Sequence, residues 1–256
     1  MPEFSSHAPG TFCWPELATT DQKSAVLFYR GLFGWEAAEQ PTGPTETYSM
    51  FQVRGLEVAA AYTMRTEERQ QGMPPHWNAY VSVANADESA KRAQELGGKV
   101  IAPAFDVMDA GRMAVLQDPT GAMISIWQPN RHVGAKILRE PGALGWTELL
   151  TRDTAAAERF YTQLFGWKAK VSPEYTEFSV GATPDAGMMK IDDEWGNVPP
   201  RWMPYFQVDD CDGRAAKATE LGGRVNVPPS DIPNVGRFAM VADPQGAMFS
   251  IIKITR

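Results

Sequence analysis

The sequence repeats itself, and this repeat limits how the chain can fold more than any other feature. Residues 14–35 (WPELATTDQKSAVLFYRGLFGW) match residues 146–167 (WTELLTRDTAAAERFYTQLFGW) at 12 of 22 positions, and residues 74–128 match residues 199–253 at 25 of 55. Three tryptophan pairs coincide: Trp14 with Trp146, Trp35 with Trp167, and Trp77 with Trp202. We therefore predict two homologous domains, 1–135 and 136–256, joined near residues 131–142, where glycine and proline favour a linker.

Each half has the same predicted order of elements. A short apolar strand (12–19 or 144–150) precedes a helix that starts at an aspartate N-cap and ends at a glycine: Asp21 and Gly34 in the first half, Asp153 and Gly166 in the second. Three strands follow, then another strand, a second helix that ends at Gly-Gly, and three more strands. An Asp-Pro-x-Gly turn joins the last two strands. The predicted fold is α+β, with four βαβββ units.

Composition and charge argue against several classes of function. Lys and Arg number 24 and Asp and Glu number 31, a net charge of −7, whereas nucleic-acid-binding proteins present a basic surface. No apolar run approaches the roughly 18 residues of a membrane span, and the N-terminus lacks a signal-peptide pattern. Two cysteines, Cys13 and Cys211, cannot form a disulfide framework. We expect a cytoplasmic protein with no nucleic-acid or membrane partner.

Three motifs that occur in both halves resemble the vicinal oxygen chelate superfamily. They are the helix ends LFYRGLFGW and FYTQLFGW, the two LGG triplets, and the segments DPTGAMISIW and DPQGAMFSII. The superfamily includes glyoxalase I, extradiol dioxygenases, fosfomycin-resistance enzymes and bleomycin-resistance proteins. The resemblance covers nearly the whole chain and is closest to actinobacterial tandem members labelled glyoxalase-like or hydroxylase. It implies that the βαβββ units form two partly closed barrels around ligand cavities.

The resemblance also implies four strand positions where metal-dependent members hold an ion. The matching residues here are Trp14, Asn78 and Ser125 in the first half and Trp146, Met203 and Ser250 in the second; the remaining strand offers only residues 58–61 (VAAA) or 186–189 (AGMM). Trp and Met do not bind hard divalent ions, and lone Asn and Ser bind them weakly. We interpret the three histidines, His7, His76 and His132, as surface residues. The sequence therefore predicts no metal and no cofactor.

Strand alternation predicts which side chains face the cavity of each half. The candidate ligand-binding residues are Trp14, Asn78, Tyr80, Ser125 and Trp127 in the first half and Trp146, Met203, Tyr205 and Ser250 in the second. An apolar, aromatic lining with a few polar groups is typical of small-molecule pockets. The alternative is that these side chains simply fill the interior.

Glu16 and Glu148 are the candidate catalytic residues, because each interrupts an apolar strand. A buried carboxylate is costly unless paired, and a dry cavity raises its pKa into a range useful for a general acid or base. The alternative is a structural ion pair with Arg112 or Arg237, for which the matched aspartates compete: Asp106 and Asp231.

We expect a metal-independent protein that binds a small aromatic or planar metabolite and sequesters it or acts on it by acid–base chemistry. Two alternatives stay open: a metal-dependent glyoxalase-like lyase or hydroxylase/dioxygenase, and a non-catalytic structural or interaction protein. If the protein is an enzyme, we expect a lyase, an isomerase or a hydroxylase. Two-unit relatives pair as dimers, so four units in one chain predict a monomer with an internal pseudo-dimer.

Overall fold

In a computed structural model, which describes residues 3–43, 46–70 and 72–255, each half forms one eight-stranded mixed sheet. The first half comprises β1 (Phe12–Thr19), α1 (Gln22–Phe33), β2 (Glu36–Pro41), β3 (Thr47–Val53), β4 (Leu56–Thr63), α2 (Thr66–Gln70), β5 (His76–Ser82), α3 (Ala86–Glu95), β6 (Lys99–Val107), β7 (Gly111–Gln117) and β8 (Met123–Pro129). The strand order in this sheet is β2-β3-β4-β1-β5-β8-β7-β6.

The second half repeats this topology. It comprises β9 (Leu144–Thr151), α4 (Thr154–Phe165), β10 (Lys168–Val171), β11 (Tyr175–Val180), β12 (Thr183–Lys190), a 3-10 turn (Asp193–Trp195), β13 (Arg201–Gln207), α5 (Cys211–Glu220), β14 (Arg224–Ile232), β15 (Gly236–Ala242) and β16 (Met248–Ile254). The order β10-β11-β12-β9-β13-β16-β15-β14 reproduces that of the first sheet. The predicted α+β class and the four βαβββ units are confirmed. Within the described ranges no pairing joins the two edge strands of either sheet, so the sheets are open and not closed into barrels.

The local signals in the sequence start and stop the first helix of each half where they were predicted to, whereas the second helices, predicted to start at Asp87 and Asp212, start at the N-caps Asn85 and Asp210. The carboxylate of Asp21 accepts a hydrogen bond from the backbone N–H of Ser24, and Gly34 ends α1 in the left-handed conformation (φ 73°). Asp153 and Gly166 do the same for α4, with a φ of 70° at the glycine. In the Asp-Pro-x-Gly turns, one carboxylate oxygen of Asp118 accepts from the backbone N–H of Thr120 and of Ala122. A short polar side chain thus satisfies backbone groups that the element ends leave unpaired.

The two hydrophobic cores contain residues of both halves, because α1, α3, α4 and α5 each pack against elements of the other half as well as against their own sheet. One core combines α1 with β13, α5, β15 and β16 and buries Phe28, Leu32, Phe206 and Phe249. The other combines α4 with β5, α3, β7 and β8 and buries Phe160, Leu116 and Ile126. Each large apolar side chain buried in this way contributes about 1.5–3 kcal/mol. Neither half therefore completes a core by itself.

A buried Trp–Tyr–Asp chain of hydrogen bonds crosses between the halves twice. The indole of Trp77 donates to the Tyr29 hydroxyl (3.1 Å), which donates to Asp243 of the second half (3.0 Å). The reciprocal chain runs from Trp202 through Tyr161 to Asp118, with distances of 2.8 and 2.8 Å. Each turn aspartate thus satisfies its own turn with one oxygen and binds the opposite half with the other.

The second glycine of each LGG triplet makes room for an aromatic ring of the other half. A Cβ atom at Gly98 would lie 2.8 Å from the ring of Phe160, and one at Gly223 would lie 2.9 Å from the ring of Phe28. Glycine is required there because the helix of the opposite half approaches closely. Among the described residues, no helix is long and apolar enough to cross a membrane.

The histidines are less exposed than predicted, and for His7 the interpretation as a surface residue is wrong. His7 is only 8% exposed; its Nε2 lies 2.8 Å from the carbonyl oxygen of Ala135, and its ring stacks on Phe4. The ring of His132 is also partly covered. It meets Trp14 edge-on at 4.7 Å and lies 3.4 Å from the carboxylate of Glu57. The N-terminal segment and the linker therefore pack on the first sheet.

We predict that Tyr29→Phe and Tyr161→Phe each lower the free energy of unfolding by about 1–3 kcal/mol, because each leaves a buried indole N–H and a buried carboxylate with one partner fewer. Chemical denaturation followed by fluorescence and by circular dichroism should give one transition, and both variants should shift it. Tyr62→Phe, which removes a hydrogen bond to Glu68 within the first half, is the control. Two separate transitions, with each variant moving a different one, would contradict a shared core.

Candidate functional site

The face of each sheet that points away from the helices carries an aromatic cluster around one glutamate. We call the face with Trp14, Glu16, Tyr80 and Trp127 the first site face. The second site face carries the matched cluster around Glu148, namely Trp146, Met203 and Tyr205. Strand pairing aligns these residues, with Trp14 opposite Tyr80 and Trp146 opposite Tyr205. The structure thus brings most of the predicted lining residues of each half together.

Both oxygens of the Glu16 carboxylate accept hydrogen bonds from phenols. The hydroxyl of Tyr48 donates to Oε1 and that of Tyr80 donates to Oε2, both at 2.7 Å. The indole N–H of Trp14 donates to the Tyr48 oxygen at 3.1 Å. Asn78 stands opposite Glu16 in the antiparallel pair and its amide also favours the ionised form. The glutamate is therefore held by neutral donors and not by a cation.

The second half repeats the phenol and indole hydrogen bonds of this arrangement. Tyr175 and Tyr205 donate to the two oxygens of Glu148, at 2.9 and 2.6 Å, and the indole of Trp146 donates to the Tyr175 oxygen at 3.0 Å. Glu148 is only 6% exposed. We call each set of four residues a Trp–Tyr–Glu–Tyr cluster. Its presence in both halves means that the duplicated chain has kept the same hydrogen-bond network twice.

Tyr48 and Tyr175 were missed by the sequence analysis. They lie on β3 and β11, in the stretch between the two aligned segments of the repeat, where the halves differ in length. A signal for them exists, since the two tyrosines are 127 residues apart, between the offsets of 132 and 125 on either side. Aligning this third segment by strand alternation would have placed both phenols on the site faces.

Gly187 makes the second cluster possible, because the ring of Tyr175 lies directly over it. A Cβ atom at this position would lie 1.8 Å from the Tyr175 hydroxyl oxygen. In the first half the matched strand position, opposite Glu16, is Ala60. The small residues of β4 and β12 thus leave the space through which a phenol reaches the glutamate.

Burial raises the pKa of both glutamates above the usual value of 4.5, and the phenol hydrogen bonds offset part of this effect. Burial and the nearby carboxylate raise the pKa values of Tyr80 and Tyr205 well above their usual 10. The tyrosines therefore stay protonated as donors at neutral pH. Within each cluster the glutamate is therefore the group that exchanges its proton more readily.

The alternative of a structural ion pair between these glutamates and the arginines is wrong. Arg112 binds Asp87 and Asp106 through three hydrogen bonds of 2.7–2.9 Å. In the second half, Arg237 binds Asp212 and Asp231 in the same geometry. The alternation of β7 and β15 places both arginines near the start of the second helix of their half, away from the site faces. The competing aspartates therefore hold the arginines.

The remaining predicted lining residues are buried on the same faces. The Trp127 indole donates to the carbonyl oxygen of His132 (2.8 Å), and Ser125 stands beside Tyr80. Met203 stands opposite Glu148 and is 1% exposed. Ser250 stands beside Tyr205, and its hydroxyl is fully buried next to that phenol. The two faces thus share one cluster but differ in the side chains next to it.

The donor set of the site faces does not fit a divalent metal ion. The positions that the family resemblance implies for metal ligands carry Trp14, Asn78 and Ser125, or Trp146, Met203 and Ser250. The oxygens of the glutamates already accept phenol hydrogen bonds. Within residues 3–43, 46–70 and 72–255, no group of three or more His, Cys, Asp or Glu side chains is arranged to hold a metal.

A cavity of about 240 Å³ lies away from both clusters. It is bounded by the end of α1, the β3–β4 turn, the linker and the start of α5, and its lining includes Glu36, Arg54, Gly142, Asp209 and Arg214. Neither Glu16 nor Glu148 lines it. Most aromatic residues around the two glutamates pack closely against one another, and this packing limits the free space on the site faces.

The chain is similar to known proteins along its whole length. Residues 11–126 and 143–251 match the model of the family described as "Glyoxalase/Bleomycin resistance protein/Dioxygenase superfamily". A protein of Mycobacterium bovis named "Putative glyoxylase CFP32" is 42% identical over 259 residues, which cover 99% of this chain and 98% of that protein. The "Anthracycline biosynthesis protein DnrV" of Streptomyces peucetius is 36% identical and covers 96% of this chain and 94% of its own length.

Solved structures share the fold at low sequence identity. The Mn(II)-bound glyoxalase of Novosphingobium aromaticivorans superposes with a TM-score of 0.67 at 13% identity and covers 96% of this chain and 82% of its own. The 2,3-dioxygenase LapB of Pseudomonas sp. KL28 gives a TM-score of 0.66 at 13% identity, with 96% and 92% covered. At this identity the likeness concerns the fold alone.

We predict that Glu148→Gln changes the pH dependence of stability. Because the pKa of Glu148 is raised in the folded state, ionisation destabilises the fold as pH rises from about 4 through the folded pKa. Glutamine does not ionise, so the variant should gain stability relative to the native chain between pH 4 and 8. Each tenfold change in the ionisation constant is worth about 1.4 kcal/mol.

Denaturant titrations at several pH values measure this difference. Glu16→Gln should behave in the same way, and Glu174→Gln, on the surface, serves as the control. A stability difference between Glu148→Gln and the native chain that does not vary with pH would contradict a raised pKa.

Proposed function

We propose that this chain, which belongs to the glyoxalase/bleomycin resistance protein/dioxygenase superfamily, binds a small planar aromatic metabolite on a site face and exchanges a proton with it through a buried glutamate. The observation that carries the proposal is the Trp–Tyr–Glu–Tyr cluster, present twice with the same three hydrogen bonds. Burying a carboxylate without a cationic partner costs folding free energy, and an apolar side chain at the same position would stabilise the fold more.

The surroundings of Glu148 support an aromatic ligand. Partly exposed apolar side chains border the cluster on the second site face: Trp146, Met189, Phe238, Met240 and Met248. Tryptophan faces stack on flat rings, and methionine adapts to their outlines. One relative is named for anthracycline biosynthesis, and anthracyclines are polycyclic aromatic compounds. The relative's name and the side chains thus point to the same ligand class.

The cluster supports proton transfer with no additional group. Each carboxylate oxygen accepts one phenol hydrogen bond, so lone pairs remain to accept a proton from a bound molecule. Burial raises the pKa of the glutamate toward neutrality, which strengthens it as a base, and the phenols stabilise the ionised form. Glu148 is then the acid–base group, and Tyr175 and Tyr205 position it.

The same considerations guide the proposed partners and location. We propose a monomer, because helix packing between the halves already supplies the pairing that two-unit relatives achieve as dimers. The acidic chain favours a small-molecule ligand over nucleic acid or a membrane surface. Cys13 and Cys211 are both buried and unpaired, in keeping with a cytoplasmic protein.

We predict that planar aromatic compounds quench part of the tryptophan fluorescence and raise the melting temperature. Trp146→Phe should remove most of the quenching caused by binding at the second site face, with Trp14→Phe as the matched control in the first half. For a bound compound that has an acidic C–H group, Glu148→Gln should change the affinity less than about threefold. The same variant should slow the exchange of that hydrogen for deuterium in D₂O by about 100-fold or more. A broad panel that changes neither fluorescence nor melting temperature would contradict the proposed function.

We predict that protein purified without chelators contains far less than one transition metal per chain. The reason is the donor set, since the metal positions carry Trp14, Asn78 and Ser125 or Trp146, Met203 and Ser250. Elemental analysis by mass spectrometry measures the content, with a metal-dependent superfamily member purified in parallel as the control. A stoichiometric, activity-linked ion would instead favour a glyoxalase-like or dioxygenase mechanism.

A further inference from the structure

We infer that the second site face, but not the first, recognises an anionic group on the aromatic ligand, and that Arg201 is the residue that holds it. This inference rests on the proposed function and identifies the ligand further, as an aromatic carboxylate or a comparable planar anion. Arg201 is the first residue of β13 and stands opposite Leu150 of β9. By strand alternation its side chain shares a face with Met203 and Tyr205.

The charge of Arg201 is uncompensated within the protein. The residue is half-buried, its Nε atom is shielded from solvent, and no described group accepts a hydrogen bond from the guanidinium. Other half-buried arginines are paired: Arg112 and Arg237 with two aspartates each, and Arg214 with Asp209 and a backbone carbonyl. A partly desolvated cation without a partner costs free energy. An anion that arrives from outside would offset that cost.

Arg201 lies within one small molecule of the proposed acid–base group. Met203 stands directly opposite Glu148, so Arg201 is the next residue of the same face along β13. Diagonal neighbours in an antiparallel pair are about 7–8 Å apart at Cα, roughly the length of a bicyclic aromatic molecule. A ligand anchored at one end by the guanidinium would therefore present its ring to Glu148 and Trp146.

The shape of the guanidinium group of Arg201 identifies the anion that fits it best. The guanidinium fork matches a carboxylate with two parallel hydrogen bonds, which makes a carboxylate the best-fitting anion.

The first half differs at the corresponding position. The repeat places His76 where the second half has Arg201, and the Nδ1 atom of His76 lies 2.8 Å from the carbonyl oxygen of Pro74. The neighbouring position also differs, with Asn78 in the first half and Met203 in the second. The two site faces therefore share the glutamate cluster but differ in charge, which assigns recognition of the anion to the second half.

The test compares 2-naphthoate with 2-naphthamide, a neutral compound of nearly the same shape. Titration of the full-length protein by calorimetry should show naphthoate binding about tenfold or more tightly than the amide. Arg201→Met should abolish this preference, Arg201→Lys should keep part of it, and the matched variant His76→Met should leave it unchanged. Equal affinity of the native protein for both compounds, or a preference that survives in Arg201→Met, would overturn the role of Arg201 while leaving aromatic binding intact.

A second measurement needs no ligand. Because the guanidinium is unpaired, Arg201→Met should raise the melting temperature of the free protein, whereas Arg237→Met, which breaks two ion pairs, should lower it. A lowered melting temperature for Arg201→Met would show that Arg201 stabilises the free protein, and it would overturn the inference. Failure of naphthoate to bind at millimolar concentration would also overturn it, and the wider panel of aromatic compounds then decides whether the proposed function fails as well.

Discussion

The reciprocal packing of the helices across the two halves is the constraint on which the rest of the molecule depends. The hydroxyl of Tyr29 on α1 donates to Asp243 in the second half, and the hydroxyl of Tyr161 on α4 donates to Asp118 in the first. A tryptophan indole donates in turn to each tyrosine hydroxyl. These contacts occupy the helix-bearing face of every unit. They explain why the strongest matches of the repeat lie in the helix ends, the Gly-Gly pairs and the Asp-Pro-x-Gly turns, all of which meet the opposite half.

Because the cores are built on one face of each sheet, the side chains on the opposite faces do not have to contribute to them. They have kept one polar network, in which two phenols and an indole support a glutamate, and have diverged around it. Trp127 in the first half corresponds to Ile252 in the second, and His76 corresponds to Arg201. Stability therefore depends on the shared elements, whereas ligand selectivity is free to differ between two sites within one chain.

Local signals made most of the fold predictable from the sequence. Strands β1 and β9, the caps at Asp21 and Gly34 and the βαβββ order depend on short-range chemistry that a repeat displays twice. The candidate site was less predictable, because its contacts join residues far apart in the chain. Tyr48 reaches Glu16 over 32 positions from a segment where the halves align poorly. For the arginines, the sequence indicated Asp106 and Asp231 as competing partners but not Asp87, since Asp87 becomes a neighbour of Arg112 only once α3 has packed on the sheet.

The shared cores also determine when the polypeptide can fold during its synthesis. Helix α1 emerges from the ribosome early and can pack on β4 of its own half, but Phe206 and Phe249, which complete the core around it, are made more than 170 residues later. The first sheet therefore waits with part of the apolar surface around Phe28 uncovered until β16 is available. A nascent chain with such exposed apolar surface is prone to aggregate and is a natural client for chaperones that act during translation.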